Sequence, residues 1–250
     1  MKRFLFLILV SQVMPAAGQT ADQLFVQANQ AYQQGKYHEA LETYERLRVG
    51  GYGGVALYYN LGNALYKTGD VAHAILFYER ARRLAPDDDD LRHNLQLANL
   101  MLTDRIEPAP RLFLLDWWDG VKAALSLNGM TIVLVVIFMV TMGSLSGMML
   151  ARSYRARRAW FLSALAGGIL VLAAGGVLWA KIADLHRMDE AIITVSITTI
   201  KNSPDAASSD AFVLHAGVKV QITDAVESWW KIRLVDGKVG WMEKSASELI

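Results

Sequence analysis

Asparagine side chains recur through the N-terminal part of the chain, accompanied by aromatic residues. An asparagine amide both donates and accepts hydrogen bonds, so several of them together can pair with the N–H and C=O groups of an extended peptide. The same side chains can instead cap and bridge helices of their own protein, and the sequence leaves both roles open. The candidate peptide-binding residues are Phe25, Asn29, Tyr59, Asn60, Asn63 and Asn94.

Histidine and serine do not occur in the patterns that support catalysis or metal binding. The sequence has no His-x-x-x-His or His/Glu metal spacing, and no serine in a glycine-flanked nucleophile turn. The glycines of AGGILVLAAGG lie in an apolar run rather than in a phosphate-binding loop. Each histidine is therefore expected to lie at the surface or to pack against neighbours. The histidines are His38, His73, His93, His186 and His215.

The chain has no cysteine, which excludes disulfides, thiol catalysis and cysteine-ligated metal centres formed by this chain. The acidic run Asp87–Asp90 lacks the alternating ligands and closing glutamate of a calcium loop, so we interpret it as a helix cap. With a formal net charge of +1 and no basic stripe with interleaved aromatics, the protein is not expected to bind nucleic acid. We therefore predict a protein that is not an enzyme and has no cofactor and no metal.

A self-similar block contains the candidate asparagines. Residues Gln27–Leu47 and Leu61–Ala81 match at a constant offset of 34, and five of the matching pairs fit helix packing and turns. This period is typical of tetratricopeptide repeats (TPRs), each a pair of antiparallel helices, and the first helix of each pair lines a concave groove. The sequence therefore predicts two TPRs followed by a capping helix. These five pairs are Asn29/Asn63, Tyr32/Tyr66, Gly35/Gly69, Ala40/Ala74 and Tyr44/Tyr78.

Two independent patterns place the repeats outside the cytoplasm. The N-terminus has a positive start, a short apolar core, and Ala16 and Gly18 before a cleavage point, which is typical of a secretory signal peptide. The apolar runs Met130–Ala151 and Ala159–Ala180 are each long enough to span a membrane. Between them lies RSYRARR, and a short arginine-rich loop stays cytoplasmic. The segments on both sides of the hairpin are therefore expected in the periplasm.

The spans carry glycines that permit close helix contact and contain no ionisable residue, so ion or proton transport is not expected. Before the first span, Leu112–Leu127 reads as an amphipathic helix with Trp117 and Trp118, which favours the membrane–water interface. A short soluble linker helix is the alternative. The glycines are Gly143, Gly147, Gly167, Gly168, Gly175 and Gly176.

The C-terminal segment is rich in short β patterns. In WWKIRLVDGKVGWME, Trp230, Ile232 and Leu234 alternate, Asp236-Gly237 turns the chain, and Val239 and Trp241 return. Several such strands predict a small β-barrel. It resembles a bacterial SH3-like domain, in which Gly-Trp after the turn and Trp before the Lys-Ile-Arg strand are characteristic. The candidate groove residues are Trp229, Trp230 and Trp241, of which at least two are expected in the barrel core.

The order of these parts, with the connector DLRHNLQLAN…DRI.P.P, resembles the BatE-like TPR members of the Bacteroides aerotolerance (Bat) proteins. The resemblance covers nearly all of the mature chain. It implies an inner-membrane protein that works beside von Willebrand A-type Bat proteins and a MoxR-type ATPase in tolerance of oxygen or envelope stress. It implies no enzymatic activity.

The predicted fold is multidomain, with an all-α TPR domain, a two-helix transmembrane hairpin and a small all-β SH3-like barrel. The predicted function is a non-enzymatic inner-membrane scaffold that contacts membrane lipid and binds protein partners. The alternative is a peptidoglycan-binding or targeting subunit of a cell-wall enzyme. The expected bounds are signal peptide 1–18, TPR domain 19–104 (repeats about 21–54 and 55–88, capping helix 89–102), connector and interfacial helix 105–128, spans 130–151 and 159–180, cytoplasmic loop 152–158, and SH3-like domain 191–250.

Overall fold

The computed structural model describes residues 20–110, 112–185 and 189–250, so the predicted signal peptide lies outside the described residues. Within these ranges, five helices form a helical-repeat domain, three further helices follow, and seven strands form a sheet domain. The helices are α1 Ala21–Gln33, α2 Tyr37–Val49, α3 Val55–Thr68, α4 Val71–Leu84, α5 Asp89–Asn99, α6 Phe113–Ala123, α7 Leu127–Leu150 and α8 Tyr154–Leu185. The strands are β1 Glu190–Ile193, β2 Ile197–Lys201, β3 Asp210–His215, β4 Lys219–Val226, β5 Trp229–Arg233, β6 Val239–Glu243 and β7 Ser247–Leu249.

Local capping residues set the ends of the repeat helices. Thr20 and Gln23 form a capping box at the start of α1, with each side chain accepting a hydrogen bond from the other residue's N–H. Gly69 ends α3 with φ of +91°, a conformation that glycine adopts without strain. Asp88 Oδ1 accepts from the N–H of Leu91 at 3.0 Å, which confirms that the acidic run caps a helix. The capping helix ends at Asn99, earlier than the predicted 102.

Small residues let the repeat helices pack closely. Ala28, Ala40 and Ala74 are fully buried in one cluster that runs through all five helices. A Cβ placed on Gly62 would meet the ring of Tyr78 at 2.5 Å, so glycine is required where α3 crosses α4. This repeat-to-repeat packing agrees with the pairwise stacking expected for repeated helix pairs.

Helices α7 and α8 are long, apolar and exposed. By length and composition both could cross a membrane, with 11% and 6% of their most apolar windows buried. Helix α8 begins at Tyr154, within the segment 152–158 that the sequence predicts as a loop. The side chain of Ser153 caps this start by accepting from the N–H of Ala156 at 3.2 Å. Three of the four arginines therefore lie in the first turns of α8.

Contact between α7 and α8 uses only part of the glycine set. A Cβ on Gly147 would meet the ring of Trp160, and one on Gly167 would meet Thr141. Ser144 and Ser163 are joined by a hydrogen bond of 2.9 Å between their hydroxyls. No heavy atom of the described residues lies near the Cβ positions of the remaining glycines, so the prediction of close contact is wrong for them. These are Gly143, Gly168, Gly175 and Gly176.

Helix α6 is tied to the end of α8. Lys122 forms ion pairs with Asp119 and Asp184, and Lys181 Nζ donates to the carbonyl oxygen of Leu125 at 2.7 Å. Lys181 also lies 3.6 Å from Asp87, in the turn between α4 and α5. The end of α8 therefore contacts both α6 and the helical repeats. Large apolar residues at the start of α6 are exposed, namely Leu112, Phe113, Leu114, Leu115 and Trp117.

The strands form one antiparallel sheet in the order β3-β2-β6-β5-β4-β1-β7. Leu214 of β3 and Val220 of β4 belong to the same buried cluster although three strands separate them, so the sheet curls around a common core. Trp230, Ile232 and Leu234 alternate toward that core as predicted. On the returning strand, however, Gly240 and Met242 face the core. Val239 and Trp241 lie on the outer face, because neighbouring residues of a strand point to opposite faces.

Strand β1 joins the two domains because both of its faces are covered. Ala191 and Ile193 pack in the barrel core, whereas Ile192 packs in the cluster of the helical repeats, together with Ile250. Ala191, Ile192 and Ile193 are each 0% exposed. Leu102, just after α5, lies against Gly217 in the turn between β3 and β4. The barrel therefore completes the hydrophobic core of the helical domain.

Charged residues surround this interdomain contact. Arg80 donates to the carbonyl oxygen of Leu249 at 2.6 Å, and Arg83 donates to that of Ile250 at 2.7 Å. Lys219 of the barrel lies 3.3 Å from Glu79, a buried acid on α4 that also pairs with Arg82. Charge-assisted hydrogen bonds of this kind fix the register of two apolar surfaces.

His73 on α4 lies between Asp70 of its own helix and Glu248 of the barrel. Its hydrogen bond with Asp70 raises the pKa of His73, aided by the charges of Asp70 and Glu248, and lowers the pKa of Asp70. Nε2 of His73 lies 3.7 Å from Oε1 of Glu248 in β7. Stability from His73 is fully present below its unfolded pKa and is lost as pH rises through the folded pKa. The stability that Asp70 contributes is lost only when the pH falls through the lowered pKa of its carboxyl group.

We expect the free energy of unfolding to fall by less than about 1 kcal/mol between pH 6 and 8.5, because both side chains are partly exposed. In His73→Gln this loss should disappear. Thermal unfolding at the two pH values measures it, with His93→Gln on the exposed side of α5 as the control. An equal pH dependence in His73→Gln and the wild type would contradict the assignment.

Candidate functional site

Most of the candidate groove residues lie together on the first helices of the repeats. Asn29 of α1 accepts hydrogen bonds at Oδ1 from Tyr44 (2.6 Å) and from Asn60 Nδ2 (2.9 Å). The pattern repeats one unit later, where Oδ1 of Asn63 accepts from Tyr78 (2.8 Å) and from Asn94 Nδ2 (3.0 Å). Asn94 also donates to the hydroxyl of Tyr59 at 3.1 Å. We call these seven residues the asparagine–tyrosine ladder.

The ladder bridges all five helices of the repeat domain, which is the structural role that the sequence left open beside peptide binding. Burial raises the pKa of Tyr44 to about 12 and raises that of Tyr78 still further, so both phenols remain protonated and donate. The acceptor oxygens of Asn29 and Asn63 are thus occupied. Their amide nitrogens have no acceptor among the described residues, and all four asparagines are only half-buried. The ladder therefore presents mainly N–H donors to a ligand, which suits peptide carbonyl oxygens.

Phe25 lies beside the ladder but is not part of its hydrogen-bond network. Its ring packs against Tyr44 with centroids 6.0 Å apart, and it lines a shallow pocket of about 310 Å³ with Tyr52 and Val55. This pocket lies between α1 and the turn before α3. Phe25 can therefore accept an apolar side chain at one end of the groove, but it makes no hydrogen bond to the asparagines.

The three candidate tryptophans do not share one face of the barrel. Trp230 packs against the barrel core. The strand register pairs Lys231 with Trp241 and Trp229 with Glu243, which places Trp229 and Trp241 together on the outer face. Trp229 is buried and Trp230 is partly buried against the barrel core, so burial of at least two of the three agrees with the expectation. Their part in a groove stays a prediction.

The outer face of the barrel carries a groove of about 360 Å³. Trp229 forms its floor and is buried, with Ile197 and Thr199 of β2 beside it. Nearby, Lys231 Nζ lies 5.8 Å from the centroid of the Trp241 ring, in cation–π geometry. A groove with an aromatic residue and several polar side chains in its lining suits a short peptide segment.

Sequence reasoning missed a larger cavity of about 800 Å³ between the connector and the barrel. The connector is hydrogen-bonded to the barrel, because the N–H of Ala109 donates to the carbonyl oxygen of Val235 at 3.2 Å. Asp104 accepts from the N–H of His215 at 2.7 Å and contacts its ring at 2.9 Å. The pattern of the connector alone does not indicate which surface it covers, so nothing in the sequence pointed to this cavity.

Two parts of the chain match known families. Residues 25–89 match the tetratricopeptide repeat family. Residues 198–248 match the bacterial SH3 domain family. Neither match includes α6, α7 or α8, and no curated protein matches the chain. The helical domain is therefore a TPR domain and the barrel is SH3-like, as predicted.

TPR and SH3 domains are typically non-catalytic interaction modules. Within the described ranges, no group of three or more acidic, histidine or cysteine side chains could hold a metal ion. The geometry of the ladder and of the outer barrel face supports binding of a protein segment or a cell-wall peptide. The groove beside Trp229 is concave and partly polar, as binding sites usually are.

Proposed function

We propose that the protein is a non-enzymatic scaffold of the inner membrane that holds a TPR groove and an SH3-like surface in the periplasm. The observation that carries this proposal is the docking of the SH3-like domain on α4, behind the TPR groove, through Ile192. This arrangement leaves the asparagine–tyrosine ladder and the Trp229 face free. Two weak sites held in fixed relation bind a shared partner more tightly than either site alone.

The topology is supported by two features that share no residues. The TPR and SH3-like domains are in contact, which supports a hairpin that returns the chain to the same side of the membrane. The arginines at positions 152, 155, 157 and 158 are exposed at the turn between α7 and α8. Arginines near such a turn favour the cytoplasmic side.

Single-cysteine labelling tests this topology cleanly because the chain contains no cysteine of its own. In intact cells with a permeable outer membrane, Glu42→Cys in the TPR domain and Ala207→Cys in the SH3-like domain should react with an impermeant maleimide. Ser153→Cys should react only after the inner membrane is opened. Labelling of Ser153→Cys in intact cells would overturn the proposed orientation.

The partner that we propose is a von Willebrand A-type Bat protein within a Bat/MoxR-associated complex for oxygen or envelope stress tolerance. The support is the resemblance in module order together with the donor-rich ladder. A photoreactive residue at the exposed Ala56 of α3, close to Tyr59 and Asn60, should crosslink this partner in cells without breaking the ladder. The same residue at Glu42 on α2 is the matched control. Crosslinks at Glu42 but not at Ala56 would place the partner elsewhere.

Cell-wall binding is the second candidate, because bacterial SH3-like domains often bind peptidoglycan peptides and the Trp229 groove is the right kind of surface. Here the chain would act as a targeting subunit of a cell-wall enzyme. Co-sedimentation of the detergent-solubilised protein with purified peptidoglycan separates the two functions. Sedimentation that is lost in Trp241→Ala but kept in Val213→Ala would favour this alternative.

A further inference from the structure

The cavity between connector and barrel is placed next to the membrane by the chain itself. Its walls include Pro108 and Glu190, which lie five residues from the start of α6 at Phe113 and from the end of α8 at Leu185. Five residues span at most about 18 Å. The cavity therefore lies close to both elements that we assign to the membrane and its interface.

The lining of the cavity combines an apolar wall with unpaired cations. Leu102 and Ile106 face Val218, Val220 and Leu234, which belong to or pack on the barrel core. The volume falls within the range of about 300–1,000 Å³ that is usual for small-molecule sites.

The charges of the lining leave a positive excess. Asp104 is bonded to His215, and Glu190 pairs with Lys219 at 2.8 Å. Arg105 and Arg233 are exposed and have no acidic partner among the described residues. The lining contains one acidic residue that is likewise unpaired among the described residues, Glu107. Arginine forms paired hydrogen bonds with phosphate, which favours an anionic head group.

A peptide is a poorer fit to this cavity. Strand β4, which forms one wall, already pairs with β1 on one side and with β5 on the other. No strand edge is therefore open at this wall for an extended peptide to join. An acyl chain needs no hydrogen bonds and fits an apolar wall.

We propose that this cavity binds one anionic phospholipid of the same membrane, with an acyl chain against the apolar wall and its phosphate held by Arg105 and Arg233. The inference rests on the membrane anchoring proposed above. It adds a lipid site that neither interaction module supplies. A lipid held there would join the connector to the barrel and so stabilise the docked arrangement of the two domains.

The test uses the full chain in nanodiscs of phosphatidylcholine containing a minor fraction of phosphatidylglycerol with a photoreactive acyl chain. Crosslinked peptides are identified by mass spectrometry. We expect labelling of segments 102–106 and 218–220 in addition to α7 and α8. Val235→Trp, which fills the cavity mouth, should reduce that labelling roughly tenfold. Arg105→Ala/Arg233→Ala removes two phosphate contacts and should reduce it roughly a hundredfold, since each contact is worth about tenfold.

Matched controls are Val213→Trp, at an exposed position of β3 outside the cavity lining, and Arg46→Ala/Arg92→Ala, on the TPR surface. Both should label like the wild type. Three outcomes would overturn the proposal. They are labelling confined to α6, α7 and α8, equal labelling in both cavity variants and the wild type, and equal labelling with a phosphatidylcholine probe. Flotation of the nanodiscs separates this failure from that of the scaffold model, because a protein that does not insert refutes the anchoring itself.

Discussion

Replacing Ile192 with aspartate is expected to release the SH3-like domain from the TPR domain while both remain folded. Ile192 is fully buried against the TPR cluster, whereas its neighbours in β1 face the barrel core. An unpaired charge at such a position costs about 3–5 kcal/mol. Undocking returns the charge to water, so the interface opens before either core does.

Hydrogen exchange of residues 71–84 measures the release, because the docked barrel covers α4. Exchange in Ile192→Asp should rise over this helix and remain unchanged in β2 and β3. Ile197→Asp is the matched control, since Ile197 lies in the same sheet but is 60% exposed. Unchanged protection of α4 in Ile192→Asp would show that the docked arrangement does not depend on this contact.

Tyr78→Ala should be among the most destabilising single changes in the TPR domain. The side chain is 2% exposed, its ring contacts Gly62, and its hydroxyl donates to Asn63. Removing a large buried aromatic side chain costs about 3–5 kcal/mol in lost contacts and cavity formation. Tyr78→Phe keeps the ring and loses one hydrogen bond, so it should cost only about 1 kcal/mol.

Chemical unfolding followed by circular dichroism of the detergent-solubilised protein compares the two variants. The difference between their free energies of unfolding gives the contribution of ring packing, separate from that of the hydrogen bond to Asn63. Equal losses in Tyr78→Ala and Tyr78→Phe would mean that the hydrogen bond to Asn63, rather than the ring, holds the repeats together.

The helices of the TPR domain could be predicted because their packing is local. Each repeat touches only its neighbours, so small residues such as Gly62 and Ala74 recur at one offset where helices cross. The hairpin of the barrel was predictable for the same reason, since Asp236-Gly237 and the alternation around Ile232 act over a few residues.

The contact between the two domains could not be predicted from local patterns. Glu79 and Lys219 are 140 residues apart and resemble ordinary surface charges in sequence. Ile192 follows the same β pattern as Ile193, although the two face different cores. The role of the asparagines was open for a related reason, because one residue type serves both helix bridging and ligand binding.

The shared core also has a consequence for the order in which the protein is made. Ile192 and Ile250 cover α4 more than a hundred residues after that helix has been synthesised. At roughly 5–20 residues per second, the helix waits on the order of ten seconds for its cover. Until the final strand is made, the apolar surface of α4 that these residues cover stays exposed in the nascent TPR domain.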